Sequence, residues 1–277
     1  MRYNKWMIGF CCAFLSISCA KKSLQSAAST TTPAANPDEV RVLSYNIHHA
    51  NPPSRPDLID INAIANVIKQ QQPDIVALQE IDVNTTRSGK NLDEAKELAR
   101  LTGMQSYFSK GIDYAGGEYG IAILSRFPME GMQRIPLPTD ESTKGEPRTL
   151  ATAIITLPKG NKIVFGCTHL DAQREATNRL LQIRKITEVL QAEQLPVVIA
   201  GDFNAAPGSE VINILDNNFT RTCITGCGFT IPVENPNKTI DFIAYKPATN
   251  FTVLAHKVID EKYASDHLPV LATLKIK

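Results

Sequence analysis

The sequence predicts an α/β fold in which two packed β-sheets are flanked by helices. Three observations favour this class: short apolar segments typical of strands are numerous, amphipathic helical segments are few, and the two kinds alternate along the chain. A regular repeat of strand and helix would contain about as many helices as strands, so the excess of strands indicates two sheets packed face to face. No second composition shift or internal repeat is visible, and residues 39–277 have the length of one large domain.

The individual elements follow from hydrophobic periodicity and from helix start and stop signals. Helices are predicted over residues 58–70, 91–103 and 174–193. Strands are predicted over residues 40–49, 74–80, 106–110, 120–125, 149–157, 162–170, 196–202, 240–245 and 268–276.

The N-terminus predicts export. Residues 1–18 read as a signal peptide, because a basic start precedes an apolar run that is too short to span a bilayer comfortably. The segment resembles a lipobox with Cys19 as the lipidated residue, and an ordinary cleaved signal is the alternative. Residues 19–38, rich in Ser, Thr, Ala and Pro, predict a flexible tether. We expect a membrane-anchored lipoprotein in the periplasm or at the cell surface of a Gram-negative bacterium.

The charge of the chain gives no strong nucleic-acid signal. Two bases and no acid lie in residues 1–18, which leaves 27 bases against 28 acids. Proteins that bind long nucleic acids usually present a basic face. We expect a monomer whose partners are a small substrate and the membrane.

The cysteines outside the signal suggest packing or bridging rather than metal binding. Cys167 lies in an apolar run and is expected to be a small buried residue. Cys223 and Cys227 are close enough to form a loop disulfide in an oxidising compartment, and two plain thiols are the alternative.

Polar residues lie at the ends of several predicted apolar strands. They are Asn46, Glu80, His169, Asp202 with Asn204, and Asp266 with His267. Any one of them is most simply a solvated strand end or a turn, but the whole set indicates a site. Residues two apart on a strand point to the same side, so Asp202 and Asn204 are expected to aim at one spot.

The residue types indicate a metal-dependent phosphoesterase. Oxygen ligands suit Mg²⁺, with Mn²⁺ as the alternative, better than zinc. The sequence has neither a Walker loop nor the Gly-x-Ser-x-Gly motif of acyl transfer. Carboxylates, carboxamides and histidines around a hard cation suit attack of water on a phosphate ester.

With these residues in place, the chain resembles the endonuclease/exonuclease/phosphatase superfamily, the DNase I-like phosphoesterases. The motifs SYNI, ALQE, THLD, GDFN, IDFI and SDH occur in family order between residue 40 and the C-terminus. The resemblance implies a four-layer α/β/β/α sandwich of two mixed β-sheets flanked by helices. It also implies that Glu80 is the principal Mg²⁺ ligand, with Asn46 and Asp266 beside the metal.

The same resemblance implies a catalytic set. Asp202 would lie near the attacking water, and His169 and Asn204 would contact the phosphate. Asp241 would orient His267, the implied general base.

Three further residues are candidates for phosphate contact. Tyr119 lies close to the place of a catalytic tyrosine in repair nucleases, but it directly precedes Gly120. Arg148 resembles an arginine that opens a central strand in many members, with a plain surface arginine as the alternative. His48 stands where nuclease members often carry Asp, and its role as metal ligand, phosphate contact or bystander is open.

The first functional prediction is therefore a Mg²⁺-dependent phosphoesterase that acts on a lipid, sugar or other small substrate, with a phosphodiester as the expected bond. The second is a secreted nuclease, which would need an electropositive groove. The third is an inactive binding module, which would show erosion of the motif residues. The motifs are intact.

Overall fold

Twelve strands and four helices lie within residues 37–277, the part of the chain that the computed structural model describes. The strands are β1 (Glu39–Asn46), β2 (Ile75–Val83), β3 (Gln105–Tyr114), β4 (Gly117–Ser125), β5 (Met129–Leu137), β6 (Arg148–Thr156), β7 (Lys162–His169), β8 (Val197–Asp202), β9 (Thr220–Arg221), β10 (Asp241–Lys246), β11 (Phe251–Val258) and β12 (Val270–Ile276). The helices are α1 (Ile61–Gln71), α2 (Glu94–Thr102), α3 (Thr177–Gln191) and α4 (Glu210–Asn218). The predicted signal peptide, Cys19 and nearly all of the predicted tether lie outside the described residues.

The strands form two six-stranded sheets. The first sheet has the order β11-β12-β1-β2-β4-β3, and the second has the order β5-β6-β7-β8-β10-β9. Only β1–β2 and β7–β8 are parallel pairs; all other neighbours are antiparallel, so both sheets are mixed as predicted. A parallel pair needs a long crossover, and α1 and α3 supply the two crossovers.

Three apolar interfaces separate four layers. Ile123 of the first sheet and Phe165 of the second belong to one buried core between the sheets. The other face of the first sheet packs on α1 and α2, and the other face of the second sheet packs on α3 and α4. Each fully buried side chain of this size stabilises the fold by about 1.5–3 kcal/mol. The predicted α/β/β/α sandwich is confirmed.

Two helix starts show why sequence boundaries were slightly misplaced. Asp60 caps α1 by accepting a hydrogen bond from the Ala63 backbone N–H at 2.9 Å, and Asp93 caps α2 through Lys96 N–H at 3.0 Å. The helices therefore begin at these aspartates, about one turn later than predicted. Gly103, with φ 69°, ends α2 as expected.

Several elements lie where none was predicted, namely β5, β9, β11 and α4. β5 and β11 are edge strands whose residues are largely exposed, so they lack the apolar alternation that marks a strand. The predicted strand over residues 40–49 is three residues too long, because residues 48–50 form a short 3₁₀ turn.

The structure confirms the predicted loop disulfide and the predicted burial of Cys167. Cys223 and Cys227 are joined in a disulfide, and Cys167 is buried between the sheets. None of the helices in residues 37–277 has the length and apolar character needed to cross a membrane.

Candidate active site

Strand register aligns three polar side chains at one end of the second sheet. His169 pairs with Asp202 across β7 and β8, and Asp202 pairs with Asp241 across β8 and β10. Residues directly opposite each other project to the same face, so the three side chains form a row. Gly201 allows the strands to approach here, because a Cβ at this position would lie 2.1 Å from the Thr168 carbonyl oxygen.

The first sheet contributes Asn46 and Glu80. Asn46 ends β1, while Glu80 lies at a β-bulge in β2 with φ 61°. The Asn46 Nδ2 atom donates to Glu80 Oε1 and to Asp202 Oδ2, both at 3.2 Å. Because an ionised carboxylate can only accept hydrogen bonds, the Asn46 carboxamide must turn its nitrogen rather than its oxygen toward the two carboxylates. One carboxamide thus joins carboxylates from the two sheets.

Asp202 is the centre of the cluster. Its Oδ2 atom lies 3.5 Å from His169 Nε2 and 3.8 Å from His267 Nε2, and Oδ1 accepts the Asn204 backbone N–H at 2.8 Å. Burial, together with the nearby charge of Asp241, raises the pKa of Asp202 to about 7. A carboxyl group with a pKa near neutrality is suited to accept a proton.

His169 presents an N–H group to this centre. Its Nδ1 atom lies 3.3 Å from Arg148 Nη1, and a guanidinium only donates, so Nδ1 accepts and the proton resides on Nε2. Burial and the charge of Arg148 hold the pKa of His169 well below its ordinary value, so the ring is neutral. The Arg148 side chain is only 9% exposed and contacts Glu146 at 2.9 Å, so the surface alternative for Arg148 is wrong.

His267 is held by Asp241. Its Nδ1 atom donates to Asp241 Oδ2 at 3.0 Å, which turns Nε2 toward Asp202. Burial would lower the pKa of His267, but the charge and hydrogen bond of Asp241 and the charge of Asp202 raise it to about 10. In this protonated state both ring nitrogens of His267 are hydrogen-bond donors. Its neighbour Asp202, rather than His267, is then the group able to accept a proton.

Two places in the cluster could hold a metal ion. The ligand atoms of Asp202, Asp241 and His267 lie within 4.8 Å of one another and are buried. Glu80 offers a more open carboxylate, 22% exposed. Burial would raise the pKa of Glu80, but contacts with His49, the nearby His169 and the Asn46 hydrogen bond hold it well below its ordinary range. A charged, partly open carboxylate fits a hard cation such as Mg²⁺ or Mn²⁺.

Asp266 and Asn204 lie at the margin of the cluster. Asp266 Oδ1 lies 3.3 Å from Ser265 Oγ, which donates to the Asn46 carbonyl oxygen at 2.7 Å and ties the SDH segment to β1. The expectation that Asp202 and Asn204 share one strand face is wrong, because β8 ends at Asp202 and Asn204 has φ 47°. The Asn204 side chain donates to the Leu170 carbonyl oxygen at 2.9 Å, and its backbone N–H serves Asp202.

Comparison with known proteins identifies the family of this chain. The sequence model of the endonuclease/exonuclease/phosphatase family matches residues 43–267. The chain belongs to the endonuclease/exonuclease/phosphatase family. Members of this family are hydrolases that act on phosphate ester bonds.

Similar proteins cover nearly the whole domain. The uncharacterized protein YbhP of Escherichia coli K12 is 28% identical over 250 residues, which covers 85% of this chain and 96% of YbhP. An endonuclease/exonuclease/phosphatase structure from Beutenbergia cavernae is 25% identical with a TM-score of 0.73, covering 86% of this chain and 72% of that one. A mannosyl-6-phosphatase from Bacteroides thetaiotaomicron shares the fold at 18% identity and a TM-score of 0.67, covering 85% and 99%.

In this family member a second group of side chains adjoins the cluster. Tyr119 is buried near Arg148, and it also lines a cavity of about 130 Å³ with Arg87, Tyr114 and Glu146. The Arg87 guanidinium lies 4.5 Å from the Tyr114 ring centre and 5.5 Å from that of Tyr119. Sequence reasoning missed Arg87, which lies in the loop after β2 and has no motif around it.

The two adjacent histidines have different surroundings. His48 Nδ1 lies 2.8 Å from the Asn51 carbonyl oxygen, so this atom is bound within its own turn. His49 Nδ1 lies 3.9 Å from Glu80 Oε2. Sequence reasoning selected His48 and missed His49, since only the turn geometry shows which ring faces the carboxylate.

Proposed function

We propose that this protein is a Mg²⁺-dependent phosphoesterase, with Mn²⁺ as the second candidate ion. The observation that carries the proposal is the convergence on Asp202. One buried carboxylate is approached by N–H groups of Asn46, His169 and His267, beside the open carboxylate of Glu80. A general base surrounded by donors for a negatively charged group is what hydrolysis of a phosphate ester requires.

In the proposed mechanism, Glu80 and Asn46 would hold the metal ion, with Asp266 beside it. When bound, such an ion neutralises charge on the phosphoryl oxygens. Asp202 is placed to take a proton from the attacking water as the water oxygen bonds to phosphorus and the bond from phosphorus to the ester oxygen breaks. The cationic His267 lies beside Asp202, and the ester oxygen leaves with a proton from solvent. The phosphate is clamped by the N–H groups of His169 and His267 as negative charge develops.

Three residues position these groups. Asp241 fixes the ring of His267, and Arg148 fixes the tautomer of His169. Asn204 orients Asp202 through its backbone. Asp241, Arg148 and Asn204 would therefore act on the rate through their neighbours, and Tyr119 is proposed to border the substrate. Of the roles left open for His48, we propose that of a supporting residue, since its ring is bound within its own turn and its backbone N–H donates to Asn46.

The proposed substrate is a small phosphodiester or another small phosphate ester, carried by a lipid or a sugar. The cavity of about 130 Å³ beside Tyr119 has the size of a small group, and a structural neighbour is a mannosyl-6-phosphatase. The near balance of bases and acids argues against a nuclease, which needs extended positive charge.

Substitution of Glu80 tests the proposal. We expect Glu80→Gln to lower kcat/KM by at least about 10³-fold, because a neutral amide cannot replace the carboxylate beside the cation. Release of p-nitrophenol from bis(p-nitrophenyl) phosphate, with Mg²⁺ and with EDTA, provides the measurement, alongside panels of lipid and sugar phosphates.

Glu188→Gln, an exposed helix position paired with Lys185, is the matched control and should keep full activity. Circular dichroism should show both variants folded. Near-normal turnover of folded Glu80→Gln would refute the proposal, and nicking of plasmid DNA that collapses with salt would assign a nuclease instead.

A further inference from the structure

We infer that His49 is a nitrogen ligand of the divalent cation at Glu80, and that the site binds Mn²⁺ more tightly than Mg²⁺. This inference rests on the proposed function for the presence of a cation at Glu80. It adds a ligand that no motif assigns, and it ranks the two candidate ions by their binding affinity.

The first observation is the position of the His49 ring. Its Nδ1 atom is buried, has no hydrogen-bond partner within residues 37–277, and lies 3.9 Å from Glu80 Oε2. This distance is too long for a hydrogen bond, and buried ring nitrogens normally have a partner. Two coordination bonds of about 2.1 Å each span up to about 4.2 Å, so one ion can contact both atoms.

The second observation is the backbone that presents the ring. His48, His49 and Ala50 have φ values of 49°, 43° and 55°, a run of three left-handed residues without glycine. Each such residue costs about 1–2 kcal/mol, and strain of this kind persists where the surroundings enforce it, often at ligand sites. Glu80 has φ 61° as well. Strained backbone therefore presents both members of the pair.

The turn is held by its own hydrogen bonds. The Ala50 N–H donates to the Ile47 carbonyl oxygen at 2.9 Å, and the Asn51 N–H donates to the His48 carbonyl oxygen at 2.8 Å. The Asn51 side-chain amide contacts three carbonyl oxygens of the following loop, at 2.7–3.2 Å. The turn is thus fixed from both sides, which leaves the His49 ring directed at Glu80.

His48 does not fill the same role. Its Nδ1 atom is engaged with Asn51, its backbone N–H donates to Asn46 Oδ1 at 3.1 Å, and its ring lies 4.6 Å from that of His49. His48 supports the turn and the Asn46 carboxamide. Because the contact with Asn46 is made by the His48 backbone, it survives removal of the ring, and His48 can serve as the control for His49.

A nitrogen ligand has a chemical consequence. Mg²⁺ favours oxygen ligands and retains its waters, whereas imidazole nitrogen is a ligand of first-row transition metals. Mn²⁺ is the weakest binder of that series, but it accepts a nitrogen ligand more readily than Mg²⁺ does. A site containing Glu80 and His49 should therefore discriminate in favour of Mn²⁺.

Glycine substitutions test the inference without straining the turn, because glycine accepts a left-handed φ. We would bind Mn²⁺ to the whole protein and to the variants His49→Gly, His48→Gly and Glu80→Gln. Pulsed electron paramagnetic resonance detects the ¹⁴N nucleus of a directly bound imidazole, and titration gives the Mn²⁺ affinity and, by competition, that of Mg²⁺.

We expect ¹⁴N modulation in the wild type and in His48→Gly, and its loss in His49→Gly. We also expect His49→Gly to weaken Mn²⁺ binding by at least about tenfold and Mg²⁺ binding much less. Loss of a residue that merely orients a metal ligand already lowers metal affinity by about tenfold or more. Asparagine also adopts left-handed φ angles, so His49→Asn repeats the test should the glycine variant misfold.

The outcomes separate two failures. ¹⁴N modulation that survives in His49→Gly, or an unchanged preference between Mn²⁺ and Mg²⁺, overturns the assignment of His49. Mn²⁺ binding that needs Glu80 but shows no ¹⁴N modulation does the same while leaving the proposed function intact. Mn²⁺ binding that is identical in Glu80→Gln removes the cation from Glu80, and with it the proposed function.

Discussion

At the scale of the residue, the Asp241 carboxyl group explains why His267 carries its proton so firmly. One oxygen accepts from His267 Nδ1, while Oδ1 has no hydrogen-bond partner among the described residues. A buried carboxylate with a free oxygen keeps most of its negative charge for the imidazole. The ring is therefore both oriented and held cationic.

Replacing this carboxylate should separate charge from orientation. We expect Asp241→Asn to lower kcat by about 10²–10⁴-fold with little change in KM, because Asp241 acts through His267 rather than on substrate. The pKa of His267, raised to about 10 by Asp241 and Asp202, should fall once the charge is gone. Proton NMR titration of the imidazole would measure this fall.

The control is Asp216→Asn, which removes a partner of Arg221 at 2.7 Å instead. An unchanged pKa of His267 in a folded Asp241→Asn variant would contradict the explanation.

Sequence reasoning found most of the cluster because polar residues interrupt apolar strands at Asn46, Glu80 and Asp202. It could not find His49 or Arg87, since their positions depend on a left-handed turn and on packing against tyrosines from a distant hairpin. Such contacts join residues with no shared period or motif.

At the scale of the element, the close approach of β7 and β8 sets the spacing of His169 and Asp202. A Cβ at Gly201 would lie 2.1 Å from one backbone oxygen of β7, which is far inside contact distance. A Cβ at Gly166, in the same pair of strands, would meet Ile199 at 3.4 Å, close to ordinary contact.

The two glycines therefore make a matched pair. We expect Gly201→Ala to reduce the free energy of unfolding by more than about 3 kcal/mol and to abolish activity, because the strands must separate. Gly166→Ala should cost about 1 kcal/mol or less. Urea unfolding followed by circular dichroism gives both values, and equal losses would show that strand spacing at Gly201 is not limiting.

The predicted positions of strands agree best with the structure where a strand is buried on both faces. Edge strands β5 and β11 escaped prediction because water covers much of their surface and removes the need for apolar residues. The end of β1 was misplaced because Ile47 continues the apolar pattern, while the chain direction changes through φ angles that composition does not encode.

At the scale of the whole molecule, we propose that the enzyme is exported and anchored by a lipid on Cys19. The basis is the sequence, in which a basic start is followed by a short apolar run and then by small residues directly before Cys19. The segment that follows is polar and would hold the domain at a distance from the membrane.

Cys19→Ser should move the protein from the membrane fraction to the soluble exported fraction, because lipidation needs the thiol. Metabolic labelling with palmitate should mark the wild type and leave the variant unlabelled. Cys12→Ser, inside the apolar run, is the control and should fractionate like the wild type. Identical fractionation and labelling of Cys19→Ser and the wild type would exclude the anchor.

The strand synthesised last, β12, pairs with the strand synthesised first, β1. β12 lies between β11 and β1, and His267 lies just ahead of β12. Because a chain is synthesised from its N-terminus, Asn46 and Glu80 exist long before His267 can take its place. On the proposed mechanism an unfinished chain would therefore be inactive, and hydrolysis would start only once β12 has paired with β1.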